Sequence, residues 1–357
     1  MMESYASSGR CVAARKHGKY LFLLKNLWKP WCHIQYPLSR FTRRNSTVAA
    51  DLLWCKLTQS GVLRFEGPDA QSFLQGQLTN NVTALDAARS QYAGYCTPKG
   101  RLLAVMLLWL HDGAHHMMLP RELCESVRKR LSMYILRSKV KALDVSPQFA
   151  LFGLSGDGAA ATVAQLAGAV PRADHDIVHG DGLSIVKLPH ERYLLVAADA
   201  VGARVQSTLA AAATAGGDAL WSALDIAAGI PNVYTATQEQ FVPQAVNFDL
   251  IDALSFTKGC YPGQEIVARA HYLGRVKQRM VRAQVHAQET PAPGDKLFSE
   301  PFGNQASGMI VSALHSDIGN HEVLAVVQHS NLDKGSVHWR TPDGPQLRIV
   351  PLPYPVE

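Results

Sequence analysis

An α+β fold is what this 357-residue chain predicts, and three patterns carry the prediction. Residues 149–213 follow the order strand, helix, two strands, helix, and the two strands join through Pro189-His190-Glu191, a tight antiparallel turn. Residues 92–110 repeat the hairpin pattern about Pro98-Lys99-Gly100. From residue 277 onward only short β segments follow, punctuated by Gly and Pro, which predicts a separate all-β domain folded as a small barrel.

Composition bounds the rest. With 47% apolar and 18% charged residues the chain can bury substantial cores, and its length suggests two or three domains at roughly 150 residues each. The formal charge of +6 is misleading until it is located. Residues 1–50 carry nine Lys/Arg and a single acid, Glu3, a net of +8, which leaves −2 for the other 307 residues. A near-neutral body offers no global electrostatic reason to bind nucleic acid. The Arg-rich, acid-poor leader reads either as a mitochondrial transit peptide or as the product of a start codon placed too far upstream. It is set aside from the fold; the expected location is cytoplasmic, or the mitochondrial matrix if the leader is real. The longest apolar run, residues 102–110, has nine residues against the roughly 20 that span a bilayer, so no membrane association is expected. The six cysteines (Cys11, Cys32, Cys55, Cys96, Cys124, Cys260) include no C-x-x-C, which excludes a zinc ribbon and a thioredoxin-type site and makes a reducing compartment the default.

The elements follow in order. Residues 52–58 and 62–66 read as short strands. After Gly67-Pro68-Asp69 a helix over 70–78 is expected, with Asp69 as its cap and Phe73, Leu74 and Leu78 on its apolar face. Beyond the hairpin, residues 116–119 form a further strand, and Pro120 at a first helical position opens a helix over 121–134. Strand 149–155 runs into Gly156-Asp157-Gly158-Ala159-Ala160-Ala161, which has the spacing of a dinucleotide fingerprint. The hairpin downstream is not the parallel crossover that motif needs, and the order over about 145–220 is ferredoxin-like instead. A helix over 201–213 ends at Gly216-Gly217. The body thus divides into residues 51–279 and a barrel over 280–357.

Chemistry concentrates in residues 221–279. In Phe256-Thr257-Lys258-Gly259-Cys260-Tyr261-Pro262-Gly263-Gln264-Glu265, two glycines bracket a cysteine just before a stretch of helical composition that continues through Arg269 to His271. A helix N-terminus and a cation two residues away both lower a thiol pKa, so Cys260 is the candidate functional thiol and Lys258 its activating partner. The bland alternative is a buried cysteine in a turn. Upstream, Trp221 is either a core residue or an aromatic wall, and Gln244, Asn247 and Asp249 add hydrogen-bonding groups suited to a flat heterocycle.

The segment Lys258-Gly259-Cys260-Tyr261-x-Gly263-Gln264-Glu265 resembles the signature of the YgfZ family, folate-binding proteins related to the glycine-cleavage T-protein. The resemblance extends to Gly67-x-Asp69-Ala70-x-x-Phe73-Leu74-Gln75-Gly76-Gln77-Leu78-Thr79-Asn80-x-Val82, to Lys99-Gly100-Arg101, to Phe241-x-Pro243-Gln244-x-x-Asn247 and to the closing Pro351-Leu352-Pro353-Tyr354, and so covers residues 51–357. It implies a T-protein-like cloverleaf of three subdomains around a central folate channel, with the barrel as third leaf. The implied cofactor is tetrahydrofolate or a one-carbon derivative, with Trp221, Gln244, Asn247, Gly263, Gln264, Glu265 and Arg269 as its contacts and no resident metal. The implied role is accessory to the synthesis or repair of iron–sulfur enzymes, tRNA-thiolating ones included, through Cys260 and a transient cluster contact there. Partners would be iron–sulfur clients or assembly factors, with tRNA touched only indirectly and the protein a monomer. One departure is informative: the T-protein carries an Asp pair after the hairpin glycine, whereas Gly100-Arg101-Leu102-Leu103-Ala104-Val105 has no carboxylate, so aminomethyl transfer is not expected. A folate-dependent one-carbon transferase or demethylase and a direct tRNA-binding factor remain the alternatives.

Two weaker signals remain. Residues 121–141 hold seven cations against Glu122 and Glu125, either a solvated face or an anion-binding patch for a polyglutamyl tail or tRNA phosphate. His175 and His179 stand at i, i+4, but no third metal ligand lies nearby.

Overall fold

The chain enters its folded body through β1 (Leu53–Lys56) and β2 (Ser60–Glu66), which do not pair with each other. The computed structural model describes residues 51–272, 274, 276–316, 319–330 and 336–356; the leader and its two readings lie outside them. β2 joins β3 (Ser90–Cys96), β4 (Leu102–His111), β5 (Ala114–Pro120) and β6 (Lys141–Asp144) in an antiparallel sheet of order β3-β4-β5-β2-β6. β1 belongs to a second sheet with β7 (Phe149–Ser155), β8 (Ile177–Gly180), β9 (Leu183–Leu188), β10 (Arg192–Ala198) and β11 (Thr214–Ala215), in the order β11-β1-β7-β10-β9-β8. The connection of three residues between β1 and β2 therefore crosses from one sheet to the other and ties them together.

Side-chain alternation decides what each sheet packs against. Along β7 and β10, Leu151, Leu194 and Val196 face the main core, while Phe152, Leu154, Tyr193 and Leu195 face helices α3 (Ala159–Ala167) and α4 (Asp199–Ala212). Neighbouring strands in this sheet are antiparallel apart from the short β1–β11 pair, so the Gly156-Asp157-Gly158 turn is not a dinucleotide site. Gly156, at φ +111, is there because a Cβ would stand 2.3 Å from the carbonyl oxygen of Asp51.

The third sheet is β12 (Gln278–His286), β13 (Lys296–Ser299), β14 (Gly308–Leu314), β15 (Asn320–Gln328), β16 (Val337–Trp339) and β17 (Leu347–Val350), in the order β16-β13-β14-β15-β12-β17. Its two outer strands meet through a bridge between His338 and Gln346, which nearly closes a barrel around Val281, Ala283, Val323 and Ala325. Met280, Leu324 and Val326 point the other way, into the main core. The α+β class and the C-terminal barrel are as the sequence leads one to expect; β16 and β17, of three and four residues, are too short to show a pattern.

Local expectations needed correction. Helix α1 (Ala70–Gln75) stops short of Leu78, because the chain leaves at Gly76 and Leu78 bridges Tyr95. Asp69 is its N-cap residue, but the carboxylate accepts the backbone N–H of Lys139 at 2.7 Å rather than a helix N–H. Pro120 is the N-cap, not the first residue, of α2 (Arg121–Ser132), and that helix ends at Ser132 in a series of turns. His175 and His179 share no helix: one sits in a turn at φ +67 and the other in β8. Among the described residues no helix is long and apolar enough to cross a membrane.

Candidate functional site

Where the first two sheets meet, a cavity of about 110 Å³ forms. One wall is helix α5 (Asp218–Ala228), which presents Asp218, Trp221, Ser222 and Asp225 to it. Their i, i+3, i+4, i+7 spacing puts all four on one helix face. Trp221 packs against β7 at Gly153, where a Cβ would come within 2.3 Å of the indole. The facing wall comes from β3 and β4, with Tyr92 and Val105 contributing.

Most polar groups here find partners within the protein, although the buried Nη2 of Arg192 has none among the described residues. Arg192, 1% exposed, places Nη1 2.7 Å from Asp225 Oδ1, donates Nε to the Pro189 carbonyl and lies 5.4 Å from the Trp221 ring centroid. A buried pair survives desolvation only with such supplementary contacts. Burial pushes the Asp225 carboxyl above its usual range, opposed by Arg192. Burial likewise raises the Tyr92 hydroxyl, with the Arg192 charge opposing. Asp218 accepts from both the backbone N–H and the hydroxyl of Thr58.

The second centre is the loop carrying Cys260. Its thiol is exposed, whereas the other described cysteines, Cys55, Cys96 and Cys124, are buried. Burial raises the thiol pKa to about 12 at Cys55 and Cys96 and to about 11 at Cys124. Three residues separate Cys260 from helix α6 (Gln264–Tyr272). Lys258, expected beside the thiol, turns into the protein instead. It is 8% exposed, donates from Nζ to the carbonyls of Gln75 and Leu78, and lies 5.1 Å from the Tyr261 ring centroid. The physical reason is that the Gln75 carbonyl, at the end of α1, lacks an intrahelical partner and attracts a cation, and the Leu78 carbonyl just beyond accepts from the same ammonium. Burial lowers the Lys258 ammonium to about 8.

Three sequence motifs converge to hold this loop. Gly263, at φ +84, lies against the β3–β4 turn so closely that a Cβ would come within 2.6 Å of Gly100 Cα. Thr79 accepts the Gly94 N–H and donates to the Ala253 carbonyl, while the Asn80 amide donates to the carbonyls of Tyr92 and Asp252. Gln244, 1% exposed, donates its amide to the Val267 carbonyl in α6 at 2.6 Å. Asn247, fully buried at φ +62, exchanges two hydrogen bonds with the backbone of Met280 and so joins the loop region to the barrel. The Tyr354 hydroxyl donates to the Gly229 carbonyl, seating the chain's last residues under the end of α5.

Of the residues singled out from the sequence, Trp221 alone lines the cavity. Gln244 and Asn247 spend amide groups on backbone, Gly263 makes the tight approach, Gln264 is half-buried, and Glu265 and Arg269 are exposed on α6. The two centres lie at different stations of one hairpin: Tyr92 and Val105 are at the cavity, and the 97–100 turn is at Gly263. Five strand residues separate them, roughly 15 Å. Sequence reasoning missed Asp218, Asp225, Tyr92 and Arg192. The stripe along α5 was visible in principle, but nothing local pairs Arg192 with a residue 33 positions away.

The chain is 33% identical over 298 residues to the tRNA-modifying protein YgfZ of Sodalis glossinidius (strain morsitans), covering 83% of this chain and 90% of that protein. It is 32% identical over 316 residues to the protein of the same name from Klebsiella pneumoniae (strain 342), covering 88% and 96%. Among solved structures, glycine cleavage system aminomethyltransferase T from Bartonella henselae superposes with a TM-score of 0.66 over 85% of this chain and 86% of that one. At 14% identity that likeness is one of fold. No protein-family model matches the chain.

Proposed function

Because the chain belongs to the YgfZ family, we propose that it is a tetrahydrofolate-binding accessory protein for making or repairing iron–sulfur enzymes, tRNA-thiolating ones among them, and that it acts through Cys260. The observation that carries this reading is the exposed thiol, displayed on a loop that three separate motifs clamp in place. Such rigid display suits a group that meets a partner at the surface, and an exposed thiol is open to exchange or to a transient cluster contact.

The cavity residues fit a flat heterocycle: Trp221 offers a face, the Tyr92 hydroxyl a donor, and Asp225 and Asn232 hydrogen-bonding edges. A cavity of about 110 Å³ is of the order that holds one aromatic ring, so one end of a folate enters and the rest stays outside. Tetrahydrofolate, when bound, supplies a one-carbon carrier; the protein's residues hold and orient it. Aminomethyl transfer is not part of the proposal, since neither Val105 in the cavity wall nor the buried Ala104 beside it carries a carboxylate, and the carboxylates of Asp218 and Asp225 are already engaged by Thr58 and Arg192.

Two measurements test the reading. Added tetrahydrofolate is expected to quench Trp emission in the wild type and to leave the emission of Trp221→Phe unchanged. Cys260→Ala is expected to abolish rescue of a tRNA-thiolating enzyme in a bacterium lacking its own homologue. Unaltered wild-type emission together with no calorimetric heat removes folate, and full rescue by Cys260→Ala removes the thiol.

A further inference from the structure

We propose that residues 133–141 form the surface on which the client protein docks, and that this surface fits an apolar pocket with an acidic rim. The proposal rests on the reading that a client enzyme is brought to Cys260. After α2 the chain makes consecutive turns, with N–H groups of Tyr134, Ile135 and Ser138 donating to the carbonyls of Leu131, Ser132 and Ile135. These bonds fix the segment while leaving its apolar side chains outside: Met133 is 66% exposed, Tyr134 45% and Leu136 87%. They are three of the six large exposed hydrophobics among the described residues, gathered within four positions. Clustered exposed apolar groups mark interaction sites rather than ordinary surface. Leu136 is also held at φ +45, a left-handed conformation that costs a non-glycine residue about 1–2 kcal/mol. Ile135 beside it packs inward, so the segment is anchored by one side chain and displays the others.

Charge indicates what covers this knob. Arg137, Lys139 and Lys141 follow it along the chain, all exposed, and among the described residues no carboxylate pairs with any of them. The nearby acids are engaged: Glu125 holds Arg128 and Lys129, Glu66 across the strand pair from Lys141 holds Arg64, and Asp69 accepts the Lys139 backbone N–H. An acidic rim complements those cations. Met133 and Leu136 offer bases no ring and Tyr134 offers only one, whereas Met, Tyr and Arg are the residues protein interfaces favour.

Position links the knob to the thiol. Asp69 at the start of α1 holds Lys139, and the carbonyls of Gln75 and Leu78 at its other end hold Lys258, two residues from Cys260. A helix of six residues is about 9 Å long. A standard interface of about 800 Å² per partner is roughly 30 Å across, several times the length of the helix to which both segments are tied.

The test uses the full chain in a bacterium lacking its own homologue, reading the activity of a tRNA-thiolating iron–sulfur enzyme. The variants are Met133→Asp with Leu136→Asp, Arg137→Glu with Lys139→Glu, and Cys260→Ser. Each patch variant is expected to lower client activity at least tenfold, with tetrahydrofolate affinity and Cys260 alkylation rate within twofold of wild type. Normal client activity in both patch variants overturns the docking surface while leaving the thiol reading intact. Full activity of Cys260→Ser overturns the thiol reading, and the patch variants still judge the docking. If wild type itself fails to rescue the client, both fall. Salt-sensitive binding of bulk tRNA, or of phosphatidylglycerol vesicles, that the patch variants abolish also overturns the protein-docking assignment, since the occupant is then RNA or lipid.

Discussion

Around the cavity, polar groups come from distant parts of the chain: Arg192 and Asp225 pair in the interior, and Asp218, nearer the surface, takes both donors of Thr58. Around Cys260 they come from sequence motifs and are spent on backbone, Lys258 on α1, Gln244 on α6 and Asn247 on β12. The first arrangement leaves a lined space; the second leaves a rigid loop with one free thiol. The most recognisable residues of the sequence are therefore largely scaffold, and the less conspicuous ones line the interior.

The largest effect expected is at the cavity. Asp225→Ala strands the buried Arg192 charge and should cost about 3–5 kcal/mol in urea unfolding; a loss below 1 kcal/mol would mean the pair is not a structural unit. Acid should act next. Burial lowers His116 from 6.5 to about 4, and lowers His115, His175, His179 and His190 in the same direction. Between those pH values the unfolded chain takes up protons that the folded chain does not, so stability is complete above pH 6.5 and falls as pH drops toward 4. His116 alone is worth on the order of 3 kcal/mol. Equal unfolding free energies at pH 7 and 4.5 would contradict this.

At the loop, Gly263→Ala meets both the positive φ and the Gly100 backbone and should cost about 2–3 kcal/mol, while Gly259→Ala, with open space around it, should change stability by less than about 0.5 kcal/mol. If the two alanines behave alike in thermal melts, the close approach is not what holds the loop. Lys258→Met leaves two carbonyls without their donor and should cost about 2 kcal/mol; rising pH from 8 to 10.5 should stabilise wild type relative to this variant, because the buried ammonium releases its proton in the folded state first. A flat difference across that range would detach the lysine from the loop. Smallest of all, Cys260→Ser should alter stability by no more than about 0.5 kcal/mol while abolishing client rescue, the sharpest statement of the contrast between display and scaffold.

Much of the architecture was legible before any coordinates. The hairpin about Pro98-Lys99-Gly100, the strand–helix–hairpin–helix unit and most of the barrel follow from periodicity and turn residues, because those signals act over a few neighbouring positions. What failed were element ends and partners. Helix α1 stops at Gln75 because Leu78 is claimed by Tyr95, and Asp69 gives its carboxylate to Lys139, 70 positions on.

The sequence by itself determined the family, the α+β class and the cysteine worth watching, since motif identity and local pattern are properties of neighbouring residues. Only the tertiary structure decided that β1 and β2 part to different sheets, that Lys258 turns away from the thiol it precedes, and that Arg192 guards the cavity wall with Asp225. Each of those depends on which carbonyl or carboxylate, far along the chain, is left without a partner when the sheets come together, and a buried polar group must take the partner that packing delivers.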